Sequence, residues 1–541
     1  MSRGQSFLKG ALILSAAGLG VRLMGAGLKI FLAAVMGDEG IGLYQMAYPI
    51  YTALLAISTA GIPIAVSKLV AENLAQKDFR GAYRVFKIAL IILTILGSSF
   101  SLLLFFGADF FILTIAKDPR AYYALISISP AIFLVTIMSV FRGFFQGQQE
   151  MMPTAVSQIV EQLGRIIAVV ALVYLLLPRG LEFAAAGAAF GAVVGALFSL
   201  LFLLFLFFKS RTVFLAQIER QIVLKDFSSL EVLYRIAALS IPITLGSLVL
   251  PLINLVDLSV VPLRLHQAGF STAEATALYG QLTGMANSII QFPVLLTVAL
   301  AMSLVPAISE AQALKNPSLI QGRTELALWA TLFFAVPASL GLFILAKPTT
   351  LVLFGNTEAS YPLSILSFAV VFLSLYTATS GILQGLGQTL EPVKNMVLGA
   401  VIKFALSWFL TAVPALHIGG AAFSTVAGFL IASYLNIRKV AILTGWRFGF
   451  RDLLLKPIVA AFFMSWGVLI SHRIMAAFFT PHLPERIAEG LALMFTILVG
   501  IVIYVAVLIL IGGLKESDLQ AIPRLGSTLV RWAKRFRLMK R

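Results

Sequence analysis

The chain has 541 residues, of which 60% are hydrophobic and only 12% are charged, and its formal net charge is +17. A soluble protein carries about 25% charged residues, so this composition excludes a soluble protein and indicates a membrane protein. The sequence has no cysteine, which excludes disulfides and thiolate metal sites. Its four histidines lack the spacing of metal ligands, so no metal centre is expected.

Apolar runs of about 20 residues, long enough to cross a hydrocarbon layer, recur along the whole sequence. The predicted fold class is an all-α polytopic membrane protein with about fourteen transmembrane helices. Their approximate cores are residues 10–36, 43–71, 88–115, 122–146, 153–177, 184–208, 236–263, 277–308, 324–346, 360–386, 393–414, 418–437, 456–478 and 489–513.

The first span is rich in glycine, with Gly18, Gly20, Gly25 and Gly27 around a single arginine, Arg22. Such breakers are tolerated in a membrane where neighbouring helices or a cavity satisfy the freed backbone groups, which predicts a cavity-lining or hinge helix. The alternative is tight helix packing through glycine.

Basic residues favour alternate loops by about four to one, with Arg142 counted at the inside end of the fourth span. In an inner-membrane protein this bias marks the cytoplasmic loops. Both termini are therefore expected in the cytoplasm. The bias also explains the net charge without nucleic acid.

Two distant stretches, residues 186–197 and 419–430, are nearly the same sequence. A second repeat pairs the Gly-x-x-Gln-Gly motif at 143–147 with the one at 381–385. Duplicated bundles in a bilayer are typical of transporters whose site lies between the halves. We expect an N-lobe at 1–208, an amphipathic cytoplasmic linker at 209–235, a C-lobe at 236–437, and two extra helices at 438–513. The basic amphipathic tail at 514–541 is expected to bind anionic lipids.

Five basic residues lie within the apolar spans. A charge near the bilayer centre costs several kcal/mol unless it is paired or hydrated. Arg22 lies about 15 residues into its span, so we expect it to face the bundle interior and bind phosphate through two parallel hydrogen bonds. The alternative is a structural pair with an acid. Lys29 extends the same wall or snorkels outward, and Lys68 either binds substrate or anchors the helix at the interface.

Glu161 and Arg165 are four residues apart, in the order that favours an ion pair. They form a structural pair or open when a phosphate competes for Arg165. Asn254 and Asp257 are one turn apart and are candidates for binding Na⁺ or carrying a proton. Lys403 is the alternative partner of Asp257, and it occupies the place of Arg165 in the second half.

Bases outnumber acids within the spans, which favours a large anionic cargo over the cations that drug exporters carry. The sequence has no G-x-x-x-x-G-K-[ST] motif, so no nucleotide is expected. The energy is expected from an ion gradient, with Na⁺ or H⁺ as the possible coupling ion, from the membrane potential or from the cargo gradient.

Several motifs resemble one group of transporters: residues 6–18, Arg22-x-x-Gly25, and residues 40–47, 61–72 and 143–149. They resemble the polysaccharide-biosynthesis branch of the multidrug/oligosaccharidyl-lipid/polysaccharide (MOP) exporter superfamily, which includes stage V sporulation protein B and the lipid II flippases. The resemblance covers essentially the whole chain.

This resemblance implies two six-helix lobes in a V with two further helices beside them. It also implies flipping of an undecaprenyl-diphosphate-linked glycan, with the diphosphate in a basic cavity and the lipid tail in a groove by the last two helices. Arg22 matches the family's first-helix arginine, and Asp257 matches an acid that helps to bind Na⁺ in some relatives. The alternatives are a cation-coupled multidrug exporter of the same fold and a non-transporting scaffold of envelope or spore assembly.

Overall fold

The computed structural model describes residues 3–59, 61–219, 221, 228–446, 449 and 451–514. These residues are helical and contain no strand. Thirteen of the helices are long and apolar enough to cross a membrane, or up to fourteen if one bent pair is a single span. The all-α polytopic fold with about fourteen spans is thus confirmed. The predicted tail beyond residue 514, and residues 220 and 222–227 of the predicted linker, lie outside the described part.

The chain divides into two compact units, Met1–Gly284 and Met285–Arg541. The helices of the first unit are α1 (Arg3–Thr59), α2 (Ile62–Ala75), α3 (Phe79–Phe106), α4 (Ala108–Phe111), α5 (Tyr122–Gly147), α6 (Met152–Leu176), α7 (Leu181–Glu219), α8 (Ser229–Ser247), α9 (Val249–Gln267) and α10 (Thr272–Gly280). Those of the second unit are α11 (Asn287–Ala313), α12 (Pro317–Ile344), α13 (Ala346–Phe354), α14 (Ser360–Leu366), α15 (Ala369–Gly385), α16 (Glu391–Leu410), α17 (His417–Thr444), α18 (Lys456–Phe479) and α19 (Glu485–Leu510).

The helices break at glycine and proline positions that the sequence marks. Gly37 has φ 71° and ψ −174° inside α1, a conformation that is essentially restricted to glycine. It divides α1 into a first arm, residues 3–36, and a second arm, residues 38–59. Pro63 lies in the first turn of α2, where its missing N–H group costs no hydrogen bond. The α14–α15 pair bends by 43°.

The two halves repeat the same turns at a constant interval along the chain. A left-handed backbone occurs at Lys77, Lys117 and Gln149 in the first half, and it recurs at Lys315, Gly355 and Gly387 in the second. Asp78 caps α3 through the amide of Gly81, and Asn316 caps α12 through the amide of Leu319. In all four pairs, three of left-handed residues and one of capping residues, the two members are separated by the same number of residues.

Close helix contacts repeat at that interval as well. A Cβ atom at Gly143 would lie 2.7 Å from the carbonyl oxygen of Pro63, and one at Gly381 would lie 3.0 Å from that of Ala301. Glycine is required at both places because the backbones approach too closely for a side chain. The duplication read from the sequence therefore corresponds to one packing scheme used twice.

Each unit has its own apolar core. Phe86, Phe141, Phe144 and Phe207 pack against one another between α3, α5 and α7 in the first unit, and Phe141 meets both Phe86 and Phe207 edge to face. In the second unit, the core lies where α12 and α15 meet α18 and α19. The last two spanning helices are thereby fixed to the second unit.

Candidate anion-binding site

The first arm of α1 packs beside α6, and this packing determines where its basic residues lie relative to those of α6. A Cβ atom at Gly25 would lie 3.7 Å from Nε2 of Gln162 on α6. Lys29 lies one turn further along the same face of α1, where it experiences the positive charge of Arg165 on α6. Arg22 lies about one turn before Gly25 and is exposed. The structure thus brings Lys29 near Arg165 at the junction of α1 and α6, and Arg22 shares the face of Lys29 by its spacing along α1.

The glycines of this arm leave room around it. Cβ atoms at Gly18, Gly20 and Gly27 would meet nothing within 4 Å. Tight packing through these three glycines is therefore not seen in this structure. The cavity-lining or hinge role of the first span stays a prediction.

Arg165 is held by tyrosines of the second arm of α1. Its Nη2 donates to the hydroxyl oxygens of Tyr44, at 3.2 Å, and Tyr48. The guanidinium carbon lies 5.3 Å from the centre of the Tyr48 ring, a cation–π distance. The Nε atom of Arg165 is buried and has no hydrogen-bond partner in the described part of the chain.

The predicted ion pair between Glu161 and Arg165 is wrong for this structure. Oε2 of Glu161 instead accepts from Nη2 of Arg142 at 2.8 Å. Arg142 also donates to Ser157 at 2.9 Å and to Ser199 at 3.1 Å. The sequence analysis counted Arg142 with the loop charges, whereas it lies within α5 with a side chain that is only 16% exposed.

No described carboxylate forms an ion pair with Arg22, Lys29 or Arg165. Charged groups removed from water need a partner, and an unpaired cation favours the binding of an anion. The junction of α1 and α6 can therefore hold an anion with two or more negative oxygens.

Lys68 belongs to a different group of charges, on α2. Its Nζ lies 3.8 Å from Oε1 of Glu72, and its side chain is 57% exposed. Glu72 also accepts from Arg235 of α8 at 3.0 Å. This arrangement favours the interface anchor, and a cargo-binding role of Lys68 stays a prediction.

The candidate ion-coupling residues differ in their surroundings. On α9, Asn254 is exposed whereas Asp257 is buried, with 8% of its surface accessible. The phenol of Tyr279 on α10 lies within electrostatic range of Asp257. Lys403 is buried on α16 in the second unit, with 6% of its surface accessible. Their role in coupling stays a prediction.

A polar latch joins α1 to α10 within the first unit, and the sequence analysis missed it. Gln281 donates to Asp38 at 2.8 Å, and Arg120 contacts Glu39 at 2.5 Å and Asp118 at 2.8 Å. Thr276 of α10 donates to Asp118 at 2.6 Å. The adjacent acids Asp38 and Glu39, directly after the Gly37 break, are the signal that could have revealed it.

The charge state of the latch follows from these bonds. Burial alone would raise the pKa of Asp118, but hydrogen bonds from Arg120 and Thr276 lower the pKa below its ordinary value. Asp118 is therefore ionised at neutral pH and keeps the latch closed.

The second unit contains an apolar cleft of about 550 Å³. It runs between α12, α18 and α19, with Phe333, Met464, Val468 and Tyr504 among its lining residues. Nearly all of its lining is apolar, and its volume is within the range of about 300–1,000 Å³ that is common for ligand sites.

Comparison with known proteins gives consistent family matches. The model of a family described as polysaccharide biosynthesis protein matches residues 7–312, and the MatE family model matches residues 282–409. Stage V sporulation protein B of Bacillus subtilis (strain 168) is 30% identical over 527 residues, which cover 97% of this chain and 99% of that protein. The lipid II flippase MurJ of the same organism is 28% identical, with 80% and 83% covered.

Solved structures show the same fold at lower identity. A lipid II flippase MurJ in an inward closed conformation aligns with a TM-score of 0.67 at 16% identity, covering 92% of this chain and 98% of its own. An inward-facing multidrug resistance MATE family transporter aligns with a TM-score of 0.66 at 17% identity, covering 79% and 94%. The chain therefore belongs to the polysaccharide biosynthesis protein family and is a multi-pass membrane transporter of the MOP superfamily, related to a lipid II flippase and a sporulation protein.

Proposed function

We propose that this transporter flips an anionic polyprenyl-diphosphate-linked glycan, lipid II or a related cell-wall or polysaccharide precursor, from the inner to the outer leaflet by alternating access. The observation that carries the proposal is the junction of α1 and α6, where Arg22, Lys29 and Arg165 have no described carboxylate partner. A diphosphate supplies the missing negative charge. The printed name of one relative, lipid II flippase MurJ, supports the same class of cargo.

Arg22 is proposed to make the first contact with the diphosphate, because it is exposed and its planar guanidinium matches two phosphate oxygens. Lys29 and Arg165 add charge further along the junction. At an effective dielectric constant of 20, each charge pair about 4 Å apart contributes about 4 kcal/mol.

The apolar cleft of the second unit is proposed to hold part of the polyprenyl tail. Its walls offer aliphatic and aromatic contacts with few polar groups that a hydrocarbon chain would leave unsatisfied. Asp257, with Asn254 or Lys403, is proposed to bias the inward and outward states through an ion, a proton or the lysine charge. We also propose the lobe boundaries at residues 208, 235 and 437 and a cytoplasmic location for both termini.

The likeness to MATE transporters makes a cation-coupled drug exporter the second candidate. An exporter of organic cations needs an acidic or neutral site. The α1–α6 junction of this chain is basic, so the anionic cargo is favoured.

Reconstitution into liposomes with labelled lipid II tests the function directly. Wild-type protein is expected to expose the label to an external enzyme or quencher, and an inactive preparation would refute the proposed cargo. In a flippase-depleted cell, Arg22→Lys is expected to complement better than Arg22→Ala. Lysine keeps the positive charge and loses only the planar guanidinium that matches two phosphate oxygens. Equal complementation by both would remove Arg22 from the phosphate site.

A further inference from the structure

Helix α6 carries an acid and a base at a spacing that would let them form an ion pair and neutralise each other's charge. Glu161 and Arg165 lie four residues apart, the separation at which side chains of one helix reach each other. In the structure, both side chains turn to other helices instead. Because this internal pair does not form, Arg165 adds its positive charge to the junction.

Glu161 is held by α5. Arg142 donates one hydrogen bond to the Glu161 carboxylate, at 2.8 Å, and two more to Ser157 and Ser199. Ser199 donates in turn to the carbonyl oxygen of Ser157 at 2.9 Å. This network fixes both the position of Arg142 and the direction in which Glu161 points.

Arg165 is held by neutral groups. The hydroxyl oxygens of Tyr44 and Tyr48 accept from its Nη2 and fix the orientation of the guanidinium. Un-ionised phenols position the guanidinium without neutralising it, whereas a carboxylate would do both. Its Nε is buried and has no hydrogen-bond partner in the described structure.

We propose that Arg142 is a positioning residue that binds Glu161 and thereby keeps Arg165, oriented by Tyr44 and Tyr48, un-neutralised for the phosphate groups of the cargo. This inference rests on the proposed function. Arg142 does not touch the cargo. Its loss would release a carboxylate within reach of Arg165, and an internal anion of that kind competes with a bound phosphate.

The second half of the chain supports this interpretation. At the interval that relates the two halves, Gly399 stands in place of Glu161, Ser380 in place of Arg142, and Lys403 in place of Arg165. The second half thus lacks counterparts of both Glu161 and Arg142, but it keeps a cation at Lys403.

The test uses the full-length protein in detergent and in liposomes, with inorganic pyrophosphate as the binding probe and labelled lipid II for flipping. Arg142→Gln is expected to weaken pyrophosphate binding about tenfold, because the freed carboxylate neutralises Arg165. Arg142→Gln combined with Glu161→Gln is expected to restore binding to near the wild-type value, and Glu161→Gln alone to retain it.

If Arg142 has a merely structural role, the double variant should not restore pyrophosphate binding, because it removes two members of the hydrogen-bond network. Wild-type affinity in Arg142→Gln, or a double variant that is folded and as weak as the single one, would overturn the proposal. If Arg142→Gln fails to fold, Tyr48→Phe provides the second measurement. It removes a hydroxyl that orients Arg165, so weaker pyrophosphate binding is expected.

Tyr51→Phe is the matched control for Tyr48→Phe. The Tyr51 ring lies 5.7 Å from that of Tyr48, and its hydroxyl makes no hydrogen bond to Arg165 in the described structure. Equal binding by the two variants would also overturn the proposal. Wild-type protein that binds pyrophosphate and flips no lipid II would refute the proposed cargo alone, because the Arg142 comparison is read from pyrophosphate binding.

Discussion

The break at Gly37 predicts that a single methyl group will change the conformation of α1. With φ 71° and ψ −174°, residue 37 is in a region that costs a residue with a side chain about 1–3 kcal/mol. A Cβ atom there would meet nothing within 4 Å, so the cost of Gly37→Ala comes from the backbone alone. A free-energy cost of this size shifts the equilibrium between the bent helix and a straighter one about 5- to 150-fold.

The shift can be measured as a distance between the first arm and α3. The chain has no cysteine, so Leu19→Cys and Leu103→Cys, both at exposed positions, can carry spin labels without background. Gly37→Ala is expected to move the distance distribution away from that of the bent form and to slow lipid II flipping.

Gly27→Ala is the matched control for this experiment. It also adds a methyl group where no atom lies within 4 Å, but its backbone does not have a positive φ. Its distance distribution is expected to equal that of the wild type, with stability raised by up to about 1 kcal/mol through helix propensity. If Gly37→Ala gives the wild-type distribution and rate, the strained hinge is refuted.

Three further predictions concern the latch and the packing of the helices. Because hydrogen bonds lower the pKa of Asp118, its stabilisation is present above the unfolded value of about 4 and is lost as the pH falls through the folded pKa. Thermal unfolding of Asp118→Asn should therefore depend less on pH between 6 and 3 than that of the wild type. Tyr504→Phe should leave the unfolding midpoint unchanged or raise it, because the hydroxyl is buried with no partner among the described residues. Gly143→Ala should destabilise the protein by about 1–3 kcal/mol and Gly381→Ala by less, in line with their 2.7 and 3.0 Å approaches, and the reverse order in thermal unfolding would contradict this.

The fold was largely predictable from the sequence because membrane helices are long apolar runs that glycine and proline interrupt. The break at Gly37 lies between the predicted spans 10–36 and 43–71, whereas the break before Pro63 lies inside the second of these spans. The bend between α14 and α15 was not predicted, because the break itself, at residues 367–368, contains neither proline nor glycine.

The sequence suggested residues for the candidate site but did not reveal their contacts. Spacing along α6 indicated a pair of Glu161 and Arg165, since only neighbours on one helix are visible in a sequence. Their actual partners, Arg142 and the tyrosines Tyr44 and Tyr48, come from other segments and are brought near by tertiary packing. The residues of the latch, Asp118 and Thr276 among them, likewise meet only in the folded chain.

The recurrence of turns and close glycine contacts at a fixed interval has a consequence for the origin of the molecule. The turns and close glycine contacts occur in both halves, whereas the acid of α6 does not, because Gly399 stands in place of Glu161. A duplication of one ancestral segment accounts for this shared interval, and the later loss or gain of an acid in one half accounts for the difference in charge.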